Sequence, residues 1–167
     1  MEICIVEAKK NDAKNLLIFF KQIGSETNNL TFGKEGFGDD VEKEEKILEK
    51  YRLSQSCLLL AKNSDNKIIA SSSLVISDKP RLSKKGEIGV SVLKEFWNLG
   101  IGSALLKKLI CIGKEKKLYK LDLKVAQDNF SAIHLYEKLG FMKKGEEDGM
   151  LYVEGKQIKG YFYELIL

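Results

Sequence analysis

The segment Val90-Ser91-Val92-Leu93-Lys94-Glu95-Phe96-Trp97-Asn98-Leu99-Gly100-Ile101-Gly102-Ser103-Ala104-Leu105-Leu106 constrains the fold more than any other. A β-branched apolar run enters a tight glycine turn, and the turn leads directly into an amphipathic helix over about 101–116. A helix entered this way leaves its first N–H groups without carbonyl partners. It directs them, together with the positive end of the helix dipole, at one point. Gly100 and Gly102 remove the side chains that would hold a ligand away from the backbone. Such a turn suits a phosphate or pyrophosphate. Gly-x-Gly ahead of a helix is also ordinary turn chemistry, so its meaning depends on the rest of the chain.

A chain of 167 residues, 44% hydrophobic and 31% charged with one proline, is expected to fold as a single domain over 1–167 with a full core. No apolar run reaches the length of a membrane span, and Met1-Glu2-Ile3-Cys4-Ile5-Val6 reads as a first strand rather than a leader. The net charge of +4 comes from lysines interleaved with glutamates, without a basic stripe, so solvated faces are expected and no nucleic-acid partner. Cys4, Cys57 and Cys111 are widely spaced and the only histidine is His134, a pattern without metal-ligand spacing. All three cysteines read as buried small hydrophobes in a reducing, cytoplasmic protein, with no metal.

Asn11 and Asp12 cap a predicted helix with Ala13, Leu16, Leu17, Phe20 and Ile23 on one stripe, which Gly24 is expected to end. Residues 24–40 are glycine-rich but carry Phe32 and Phe37. A helix over about 41–53 follows, with Val41, Ile47, Leu48 and Tyr51 inward. Segments 57–61 and 67–76 flank Asn63-Ser64-Asp65-Asn66 and read as a hairpin. Strands are expected over 86–93, with Ile88, Val90 and Val92 on one face, and over 118–126. A helix over about 129–139 stops at Gly140, Phe141 opens a strand, and 160–167 forms the last strand. The order β-α-α-β-β-β-α-β-α-β-β implies an α/β (α+β) fold, a mixed sheet with helices on both faces.

The segment Asn129-Phe130-Ser131-Ala132-Ile133-His134-Leu135-Tyr136-Glu137-Lys138-Leu139-Gly140-Phe141 completes the pattern Asn-x-x-Ala-x-x-Leu-Tyr-x-x-x-Gly-Phe. With the turn Trp97-Asn98-Leu99-Gly100-Ile101-Gly102, it strongly resembles the GNAT superfamily of acetyl-CoA-dependent N-acetyltransferases. The motifs span roughly 85–141, and the element order extends the likeness over the whole chain. The resemblance implies that the strand before the turn and the strand over 118–126 splay apart to hold acetyl-CoA. Val90, Ser91 and Val92 would pair with its pantetheine arm. Trp97, Asn98, Leu99, Gly100, Ile101, Gly102 and Ser103 would surround its pyrophosphate. Trp97 stands where the family carries Gln or Arg, so backbone amides supply more of the binding, with Asn98 expected in the left-handed conformation.

By the same analogy Asn129, with Ser131, orients the cofactor arm, and Tyr136 protonates the leaving thiolate. On the residues alone Tyr136 reads equally as a core aromatic, sharing a stripe with Ala132 and Ile133. His134 should face away, at the surface. Glu87 is the candidate base, acting through water, and its alternative is a solvated edge glutamate. Glu26, Phe32 and Phe37 are candidate acceptor contacts, with 24–40 and 146–160 as walls. The implied reaction is direct acetyl transfer to a primary amine, preferably of a small molecule such as an amino acid or polyamine. The alternatives are a protein N-terminal or lysine acetyltransferase, and a non-catalytic acyl-CoA-binding regulatory module. A homodimer is compatible with the apolar last strand.

Overall fold

The computed structural model describes residues 2–167. Seven strands form one sheet in the order β1-β2-β3-β4-β5-β7-β6. They are β1 (Ile3–Glu7), β2 (Cys57–Asn63), β3 (Ile68–Ile76), β4 (Lys85–Val92), β5 (Lys120–Ala126), β6 (Met142–Val153) and β7 (Lys156–Ile166). The helices are α1 (Ala13–Glu26), α2 (Val41–Leu53), α3 (Ile101–Glu115) and α4 (Phe130–Lys138), in the chain order expected from the sequence. Among the described residues no helix is long and apolar enough to cross a membrane.

Alternation along the strands divides the core into two layers. Leu58 and Leu60 of β2 pack with Leu16, Phe19, Ile23 and Leu48 beneath α1 and α2. Their neighbours Leu59 and Ala61 pack with Leu105, Leu106, Leu109 and Tyr136 beneath α3 and α4. All strand pairs are antiparallel except β4 with β5. That pair meets only at Lys85–Lys120, Gly86–Leu121 and Glu87–Asp122. Beyond Glu87 the two strands diverge, β4 staying with β3 as far as Val92 and β5 with β7 as far as Ala126.

Several expectations are corrected. Only Cys57 is buried; Cys4 and Cys111 are exposed, because Cys4 points outward from an edge strand and Cys111 lies on the outer face of α3. On α2, Ile47 is 39% exposed and Glu44 takes a buried place instead, where burial raises the pKa of its carboxyl. The last strand is not an edge: β7 is flanked by β5 and β6, with Tyr163 buried and Phe162 and Ile166 exposed. Residues 146–160 form the outer part of the β6–β7 hairpin, turning at Glu154 and Gly155 with φ of 50° and 79°.

Gly24 does not end α1, which continues to Glu26. It is needed because the loop folds back on the helix: a Cβ there would stand 1.9 Å from the Gly33 carbonyl oxygen. Phe32 and Phe37 pack on Phe20, with ring centroids 5.6 and 4.8 Å away, and so hold the loop down. Gly24→Ala is expected to destabilise the protein by about 1–3 kcal/mol, the usual cost of overpacking. Urea denaturation measures it, and an unchanged midpoint would show that the loop does not rest on α1.

Candidate active site

The divergence of β4 and β5 leaves main-chain groups without strand partners. Leu93 N–H bonds to Ile69 C=O at 3.0 Å, and Ser91 is opposite Ser71. In an antiparallel ladder alternate residues direct both groups to the same neighbour. Val90 and Val92 therefore turn their N–H and C=O groups away from β3, toward the gap. A peptide-like ligand arm can satisfy such groups as an added strand would.

At its open end the gap meets the turn before α3. A 3-10 turn over Lys94–Phe96 carries the chain round, and Asn98 and Gly100 adopt left-handed φ of 60° and 79°. Asn98 thus has the conformation expected of it. No side chain caps α3, whose first internal bond runs from Ala104 N–H to Gly100 C=O at 3.0 Å. The amides of Ile101, Gly102 and Ser103 precede that bond and remain available for an anion. A Cβ on Gly102 would lie 3.2 Å from Leu135 Cδ2 and 3.7 Å from Val92 Cγ2. The start of α3, the end of β4 and the middle of α4 converge there, so a larger residue would crowd the cradle. Trp97 is 42% exposed, and its indole Nε1–H donates to the Val92 carbonyl at 2.6 Å.

Asn129 lies just before α4 rather than on it, and its side-chain oxygen caps the helix by accepting from Ala132 N–H at 3.3 Å. Ser131 and His134 are exposed, as expected for His134. Tyr136 is buried, edge-on to Phe141 at 5.9 Å between centroids, and burial pushes its pKa up to about 12. Among the described residues its hydroxyl has no hydrogen-bond partner. Tyr163 of β7 donates to Glu137 Oε1 at 2.9 Å, which ties α4 to the sheet.

On the opposite face, Glu87 is exposed and sits beside Asp122 at the last paired position of the gap. Asp122 in turn sits beside Glu164. Lys120 hydrogen-bonds Glu164, which lowers the glutamate's pKa, and its ammonium is 3.1 Å from Asp122 Oδ1. That second contact is an ion pair, and Asp122 Oδ1 is enclosed away from solvent. Ser91 Oγ lies 3.1 Å from Ser71 Oγ. Glu26 is committed elsewhere: Oε2 accepts from Lys94 N–H at 2.8 Å and Oε1 from Gln22 Nε2 at 3.0 Å. Phe32 is half-buried in the aromatic cluster, whereas Phe37 is 53% exposed. Sequence reasoning missed Asp122 and Lys120. The signal was a strand with Leu121, Leu123 and Val125 on one face and Lys120, Asp122 and Lys124 on the other.

Comparison with known proteins bears on this arrangement. The acetyltransferase (GNAT) family model matches residues 25–141. The crystal structure of an acetyltransferase of the GNAT family from Streptococcus pneumoniae is 30% identical with a TM-score of 0.94, covering 99% of this chain and 100% of that one. The protein yncA of Salmonella typhimurium, solved with its cofactor acetyl-CoA, shares the fold at 17% identity and a TM-score of 0.85, over 99% and 94% of the two chains. L-amino acid N-acetyltransferase AaaT of Escherichia coli is 25% identical over 99 residues, 59% of this chain and 61% of that protein. This chain therefore spans about three fifths of the length of that curated relative. The divergent strands, the glycine turn and the Asn129–Phe141 segment all lie within the matched region, and the chain belongs to the GNAT acetyltransferase family.

Proposed function

We propose that the protein transfers the acetyl group of acetyl-CoA to a primary amine of a small molecule such as an amino acid or polyamine. The observation that carries this reading is the gap itself: free Val90 main-chain groups open beside the uncapped start of α3. One edge suits an amide-bearing arm and the other a pyrophosphate. Bound there, acetyl-CoA supplies an acyl group already activated as a thioester, so no covalent enzyme intermediate is needed. The kinship with an L-amino acid N-acetyltransferase supports a small acceptor.

In this reading a backbone N–H of the 90–92 strand, that of Val90, stabilises the carbonyl oxygen as charge develops on it. Burial pushes the pKa of the Tyr136 hydroxyl up to about 12, so it is fully protonated at neutral pH and can give a hydrogen bond, and with it the proton, to the departing sulfur. Glu87 takes the proton of the incoming ammonium through water, since it is solvent-exposed at the closed end of the gap.

Thiol release from acetyl-CoA across a panel of amino acids, polyamines and peptides tests the reading. Turnover is expected with a small amine; turnover with peptides alone would overturn the acceptor class, and none with any amine would overturn the enzyme. Tyr136→Phe should lower kcat by about 10²-fold or more while coenzyme A affinity stays unchanged. Equal activity would remove Tyr136 from this role. Glu87→Gln should lower kcat/KM at neutral pH by about 10²-fold and recover at alkaline pH, where the amine arrives already neutral. A loss of the same size at every pH would leave Glu87 without a proton to carry.

A further inference from the structure

We propose that Trp97 is a displaceable cap on the cofactor groove, holding the Val92 carbonyl in the free protein and releasing it to the pantetheine arm. This rests on the acetyl-CoA reading above. The register of β4 turns the Val92 carbonyl into the gap, where no strand reaches it. A donor bonded to that oxygen at 2.6 Å must stand on the gap side, and the donor is the indole Nε1–H of Trp97. Three neighbouring amides are met within the protein: Leu93 N–H bonds to Ile69, Lys94 N–H to Glu26, and Phe96 N–H to Leu93. The Val92 carbonyl depends instead on the indole of a side chain that is 42% exposed.

An arm laid along β4 as an added strand would seek the N–H and C=O groups of both Val90 and Val92. The indole occupies one of those positions, so the two donors compete. An exchange of one neutral hydrogen bond for another costs little, yet the competitor still weakens the ligand by the net strength of the bond it must break. Trp97 is thus a determinant of cofactor affinity whose N–H opposes binding of the arm.

Trp97 is the only tryptophan of the chain, so its emission reports on this bond directly. The probes are coenzyme A and adenosine 3′,5′-bisphosphate, which lacks the arm, followed by calorimetry and fluorescence. Trp97→Phe keeps an aromatic ring without the N–H. It should bind coenzyme A roughly 2- to 10-fold more tightly than the wild type, with no change for the bisphosphate. In the wild type, coenzyme A should shift the tryptophan emission and the bisphosphate should not. Equal or weaker binding of coenzyme A by the variant overturns the proposal, as does tighter binding of both probes alike, which would place the effect in the phosphate turn. Unshifted emission in a wild-type protein that binds coenzyme A overturns it too. A wild-type protein that binds no coenzyme A by calorimetry overturns the acetyl-CoA reading as well.

Discussion

The short ladder between β4 and β5 is the constraint on which the rest depends. Each strand is committed along its other edge, β4 to β3 through Val92 and β5 to β7 through Ala126. The sheet is therefore two half-sheets joined at the Lys85–Glu87 and Lys120–Asp122 segments. Beyond that junction the facing edges of β4 and β5 stay open while both outer ladders continue. A Cβ on Gly102 would come within 3.2 Å of Leu135 on α4 and 3.7 Å of Val92 on β4, so the start of α3 lies close against the end of β4. Unpaired main-chain groups are costly when buried and cheap when solvated, so a gap open to water keeps them without penalty.

Two polar ties set the helices around that gap. Tyr163 reaches from β7 to Glu137 and ties α4, which carries Tyr136, to the sheet. Burial in the first place, and the neighbouring carboxylate after it, push the Tyr163 pKa up to about 12, so the donor remains protonated. Glu26 reaches from the end of α1 to the Lys94 amide, at the corner where β4 becomes the glycine turn. The loop after α1 thus begins at a residue anchored to that corner. Gly24 and Gly33 then let that loop lie against α1, and the rings of Phe20, Phe32 and Phe37 close over it.

What the sequence revealed was local in origin. The alternation of Ile88, Val90 and Val92, the left-handed Asn98 and the uncapped entry to α3 all follow from residues a few positions apart. What it concealed depends on contacts across the fold. Glu87 and Asp122 become neighbours only through the register of two strands separated by a crossover helix. Gly24 resembled a helix terminator because nothing in its own window shows the Gly33 carbonyl above it. Cys4 and Cys111 have apolar neighbours in sequence, but an edge strand and an outer helix face leave both exposed. Glu26 was legible as a carboxylate near the site, whereas its bond to the Lys94 amide was not.

The row Glu87–Asp122–Glu164 places a physical conflict at the closed end of the gap. Carboxylates draw a protonated amine toward the site, but the same field stabilises its charge and so resists the loss of its proton. Lys120 resolves part of this conflict. Its hydrogen bond to Glu164, followed by its contact with Asp122, raises its own pKa and keeps it charged. Lys120 is shared by Asp122 and Glu164, whereas Glu87 has no ion-pair partner among the described residues and is exposed to solvent. In the proposed reaction the row would divide two tasks: Asp122 and Glu164 hold Lys120 in place, and the exposed Glu87 passes the proton to bulk water.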